Sequence, residues 1–246
     1  MKRNLFTRIV AAFVACIATT AVAWADEVTD WNETLFRTAL VAATSPLNMS
    51  RVSALVQAAV FDAVNGIDRK YTPIHVPPNA APGASRRAAA VQAAYVMLGK
   101  HYGTGGLFVT TQQGVLNARR DVALAVIAAD DSAQSITDGV NWGTLVANEI
   151  WNWRLTDGFN LLPPSYIGST AIGQWRQTPN APAAGTSTPG VGYPQYFNMP
   201  TWSGAASNQF DPGPPPALSS ARYLADYNEV KTMGSQNSPL RTPDQT

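Results

Sequence analysis

Only two histidines are available for acid–base or nucleophilic chemistry, and they sit in different settings. His101 follows Lys100 at the end of a predicted helix. A catalytic base is one reading, and a terminal cation that offsets the helix dipole is the plainer one. His75 lies in a proline-rich loop and has no companions at metal-ligand spacing. The stretch "FDAVNGID" offers Asp62, Asn65 and Asp68 as a string of oxygen ligands. On a helix Asp62 and Asn65 share a side and Asp68 falls at the end, so hydrogen bonding or capping competes with metal binding. Asp130-Asp131 reads as a cap for the next helix, because adjacent helical residues do not face each other. "HYGTGG" lacks the Gly-Lys-Ser/Thr and the preceding strand of a phosphate loop. Ser-His-Asp chemistry would have to use one of these two histidines, with no nucleophile-elbow pattern. Arg86-Arg87 and Arg119-Arg120 read as solvated faces. The sequons at Asn32 and Asn48 fall inside predicted helices.

The elements that must position these residues are helical from residue 29 to about 157. Asp30 and Glu33 suggest a capping box for "WNETLFRTALVAAT". Ser45 and Pro46 open the next helix, in which Val52, Leu55, Val56, Ala59, Val60, Ala63, Val64 and Ile67 recur at helical spacing, and Asn65-Gly66 and Pro73 are expected to close it. Ser85 starts a third helix and Gly103 stops it. "QQGVLNARRDVALAVIAADD" is a fourth. "SITDGVNWGTLVANEIWNWRLTDG" is a fifth, whose Gly139, Gly143 and Ala147 form a small-residue stripe for close helix approach and which Gly158 is expected to end. No stretch reads as an alternating strand. The fold class is therefore all-α.

Residues 159–218 hold 11 of the 18 prolines, together with Tyr166, Trp175, Tyr193, Tyr196, Phe197, Trp202 and Phe210. So many large rings argue for an ordered arm laid over a surface, not a flexible linker. Ser219 or Ser220 then caps "ARYLADYNEVKTMG", with Tyr223, Tyr227, Val230 and Met233 on its apolar side. The chain closes on Thr242-Pro243-Asp244-Gln245, a helix-start signal.

Residues 1–25 read as a signal peptide: Lys2, Arg3 and Arg8, then an apolar stretch, then Ala23-Trp24-Ala25 before Asp26. The chain is expected to be exported, to the periplasm or the extracellular space, with no membrane span after cleavage. Cleavage leaves 14 basic and 16 acidic residues, a net charge of −2 that does not suggest nucleic acid as a partner. It also removes Cys16, the one cysteine, and with it disulfide and thiolate chemistry. The expected divisions are a signal at 1–25, a helical domain at 26–158, the irregular arm at 159–218, and the first helix and start of a second helical domain at 219–246.

Several stretches, in order, resemble one family. "VTDWNETLFRTAL", "SRVSALVQAAVFDAVNGIDRKYTP", "APGASRRAAAVQAAYVML", "WRLTDG", "GQWRQTP" and "DPGPPPALSSARYLADYNEVKTMGSQNSPLRTPDQT" are similar to the N-terminal half of secreted bacterial vanadium-dependent haloperoxidase-like proteins, within the phosphatidic acid phosphatase type 2 superfamily. The resemblance implies an all-helical fold and a parent reaction of vanadate- and peroxide-dependent halide oxidation or phosphate ester hydrolysis. The family's oxyanion site uses a Lys followed by Arg-Pro, then Pro-Ser-Gly-His, then a Ser-Arg leading to a second His. Lys and Arg neutralise the oxyanion, one His bonds vanadium or attacks phosphorus, and the other transfers protons.

None of these motifs occurs here. Trp202-Ser203-Gly204-Ala205 lacks the Pro and the His, and Pro164-Ser165 runs into Tyr166. The resemblance thus implies a non-catalytic scaffold portion with no catalytic, cofactor or metal residues of its own. Vanadate is expected only in a complete member. A C-terminal catalytic half, or a second chain docked on the aromatic arm, is the implied partner. A stand-alone binding or structural protein of the envelope is the alternative.

Overall fold

In the computed structural model the described residues are 26–108, 112–161, 168–175, 194–206 and 208–245. The expected signal segment at residues 1–25, Tyr166 and Tyr193 lie outside them. The fold is all-α: six helices and no strand among the described residues. The helices are α1 (Glu27–Val41), α2 (Pro46–Asp68), α3 (Arg86–Tyr102), α4 (Gln113–Ile127), α5 (Ala133–Arg154) and α6 (Ala221–Met233). The chain divides into two units, residues 1–156 and 157–246.

In the first unit α3 is central and packs against α1, α2, α4 and α5, while α2 also packs against α5. Composition explains the position. Ala88, Ala89, Ala90, Val91, Ala93, Ala94, Met97 and Leu98 are all buried, so α3 is apolar around most of its circumference and small enough for neighbours on several sides. The Gly139–Gly143–Ala147 stripe of α5 faces it. A Cβ on Gly139 would overlap the Ser85 carbonyl oxygen, and one on Gly143 would overlap that of Ala89. Ala147 is fully buried.

Four of the expected boundaries move. The cap of α1 is Asp26, whose carboxylate accepts the Thr29 N–H at 2.8 Å, a bond that lowers its pKa. Asp30 and Glu33 lie within the helix, and Glu33 pairs with Arg37 at 2.6 Å instead. Asn65-Gly66 does not close α2, which runs on to Asp68 and ends at Arg69 in the left-handed region (φ 55°). Gly66 is a seat: a Cβ there would overlap the indole of Trp142, whose Nε1–H donates to the Ala63 carbonyl at 2.8 Å. The cap of α5 is Ser132, whose Oγ accepts from Ser135 N–H, and not Asp130 or Asp131. Finally, α5 ends at Arg154, ahead of Gly158. The starts at Ser45, Ser85 and Ser220 and the stops at Gly103 and Gly234 fall where the capping residues put them.

The second unit buries little: among its described residues only Asp157 and Gln195 are buried. Gln195 donates to the Phe159 carbonyl at 3.1 Å, and Phe159 and Tyr196 meet edge to face at 6.1 Å. Phe197 and Phe210 are exposed. Helix α6 carries Tyr223 and Tyr227 on one side, stacked at 6.4 Å, and has no buried residue. Arg241 closes its C-terminal end by donating to the carbonyls of Met233 (2.6 Å), Ser235 (2.8 Å) and Gln236 (3.1 Å). The Thr242 start signal forms a single 3₁₀ turn, Pro243–Gln245, in which Thr242 N–H donates back to Gln245 Oε1 at 2.9 Å.

Candidate functional site

Helix α2 directs Asp62 inward, where the carboxylate is fully buried. It accepts three backbone N–H groups from the following loop: Ile74 at 2.7 Å, and His75 and Val76 at 2.8 Å. One helical turn on, the Asn65 side chain accepts from Lys70 and Tyr71 N–H and donates to the Tyr71 carbonyl. Asp68 pairs with Arg86 and Lys70. The string of oxygen donors is therefore spent on holding residues 69–76 against the helix, which fits the hydrogen-bonding reading. His75 is carried by that loop. Its ring is exposed and stacks on Trp153 of α5 at 4.4 Å and 6°.

His101 is not the terminal cation the sequence suggested. It is fully buried. Its Nδ1 lies 2.8 Å from the Met97 carbonyl, which assigns the proton to Nδ1. Nε2 has no hydrogen-bond partner among the described residues. Trp151 meets the ring edge-on at 5.1 Å, and Phe108 stacks at 6.2 Å. Burial pushes the pKa down to about 4, against the Met97 bond and helped by Arg51 and Lys100. At neutral pH the ring is uncharged and compensates no dipole. The dipole cue in the sequence was Lys100-His101 at a helix end, and only Lys100 answers to it.

The arginine pairs are only partly solvated faces. Arg87 donates to Glu27 (2.6 Å) and Asp130 (2.9 Å), joining α1, α3 and the end of α4. Arg120 donates to Gln92 Oε1 at 2.6 Å and lies over the Tyr95 ring. Arg86 and Asp68 form an exposed pair. The buried Arg51 donates to the Arg154 carbonyl at 3.0 Å, a contact across 103 residues that no local pattern signals. Trp202–Ala205 forms a bend with Gly204 at φ 71°.

Among the described residues no three of His, Cys, Asp and Glu gather where a metal could bind. No helix among them is long and apolar enough to cross a membrane. His75 and His101 stand against different tryptophans, and the His101 ring is sealed from solvent. No family model, curated protein or solved structure matches this chain.

Proposed function

We propose that this chain is the non-catalytic helical scaffold portion of an exported vanadium-dependent haloperoxidase- or acid phosphatase-type protein. The oxyanion chemistry then belongs to a separate helical bundle that docks on the aromatic arm and α6. The observation that carries this reading is α6 itself. It has the boundaries its capping residues predict, yet Leu224, Tyr227 and Val230 are 60%, 54% and 70% exposed. An amphipathic helix gains most of its stability by covering its apolar face, and a partner bundle would supply that cover. The ordered family-like stretches, above all "DPGPPPALSSARYLADYNEVKTMG", lend the family.

The test is direct. The full chain, supplied with vanadate, hydrogen peroxide and bromide, should oxidise no bromide above background, and it should not hydrolyse phosphate esters. Mixing it with a bundle bearing the Arg-Pro and Pro-Ser-Gly-His motifs should shift it to a complex on size-exclusion chromatography. Turnover by the purified chain alone, or no association with such a bundle, would sink the proposal.

A further inference from the structure

At the C-terminal end of α3 an open groove of about 450 Å³ runs between Tyr95, Lys100, the Thr104–Gly106 turn, Gln113 and Trp151. The turn is fixed by the Gly106 N–H donating to the Gly103 carbonyl at 3.0 Å, with Gly105 at φ 75°, where a side chain would be strained. Lys100 reaches over the Trp151 ring, its Nζ 5.4 Å from the centroid. No carboxylate among the described residues pairs with this ammonium, and the Gly105 N–H likewise has no acceptor among them.

The polar neighbours do not answer that charge. Gln113 uses its oxygen on Thr104 N–H and its amide hydrogens on Tyr95 and Asn117. The charges acting on buried His101 beside the groove are Arg51 and Lys100, both cations. Desolvation alone disfavours the charged form of Lys100. This is a half-buried cation on an aromatic floor that lacks a counter-ion among the described residues, in a cleft of small-molecule size.

We propose that the groove binds a small organic carboxylate, its flat apolar body along Trp151 and Tyr95 and its carboxylate on the Lys100 ammonium and the Gly105 N–H. A carboxylate suits both donors through charge-assisted hydrogen bonds, and a flat ring suits the indole. The inference does not depend on the scaffold reading.

Sodium benzoate is the probe, titrated into the full chain while following the Trp151 indole N–H resonance, assigned with Trp151→Phe. The expected result is a saturable shift that weakens as ionic strength rises, since the charge is half-exposed. Lys100→Met should weaken binding by about tenfold or more, and Lys100→Arg should keep it within about threefold. Benzyl alcohol, the uncharged analogue, should give a much weaker response in the unmodified chain. A shift that does not saturate, an equal response to benzyl alcohol, or undiminished binding by folded Lys100→Met would overturn the proposal. So would saturable binding of inorganic phosphate with none of benzoate. The benzyl alcohol and salt comparisons need no variant, so they decide the matter even where Lys100→Met does not fold.

Discussion

Asp62 shows how a single side chain can carry a loop. Its carboxylate takes the N–H groups of Ile74, His75 and Val76, all from a segment with no helix or strand to satisfy them. Asp62→Ala would leave three donors without their acceptor at a buried position. The expected loss is on the order of 3 kcal/mol, read as a lower midpoint in urea denaturation. His101 gives a pH dependence of definite sign. Its folded pKa, about 4, lies below the ordinary 6.5. Between those values the unfolded chain binds the proton and the folded one does not, so stability falls as pH drops from 6.5 to 4. For this buried group the contribution across that window is about 3 kcal/mol. His101→Asn can keep the donation to Met97 and removes the titration. Its denaturation free energy should therefore change about 3 kcal/mol less between pH 7 and pH 4 than the parent's. An unchanged difference would mean that other groups set the acid sensitivity.

At the scale of elements, small residues decide which helices touch. Gly143→Ala would force a methyl into the Ala89 carbonyl, a backbone atom that cannot yield without moving α3. We expect a loss of about 2 kcal/mol or more. Gly99→Ala, inside α3 with open space at the same point, should be neutral or stabilise by up to about 1 kcal/mol. Paired thermal melts check both. Much of this architecture was legible in the sequence. Ser45-Pro46, Ser85, Gly103, Ser220 and Gly234 mark real boundaries because capping is a local interaction. The Gly139–Gly143–Ala147 spacing announced a close helix contact. Asn65-Gly66 misled because the glycine is required by Trp142, which lies far along the chain. His101 misled for the same reason: its burial is set by Phe108 and Trp151, and no helix-end rule contains them. The candidate groove was less legible still. "HYGTGG" was visible, but its meeting with Trp151 is a product of how α3 and α5 pack.

For the whole molecule, the two units differ in how well each buries its own apolar surface. The first has a continuous core around α3, and the second exposes Ile172, Phe197, Phe210, Tyr227 and Val230. Amide exchange should follow that contrast. In the chain alone, α6 amides should exchange orders of magnitude faster than those of Val91, Ala94 and Leu98 in α3. Protection of α6 equal to that of α3 would count against the docking role proposed for it.

The central place of α3 also bears on the order in which the molecule forms. Its partners come from both sides in sequence: α1 and α2 precede it, and α4 and α5 follow. Gln92 of α3 donates to Thr144 of α5 at 2.9 Å, 52 residues later. A chain that has emerged only as far as Phe108 can pair its first three helices, but it leaves the Ala88–Ala89 face bare and the seat at Gly66 without its indole. Closure waits for a long loop to be spent, and that entropy is recovered only when α5 arrives. The docking of α5 is thus the natural slow step of folding, and until it occurs the small-residue face of α3 that it covers is open to other chains.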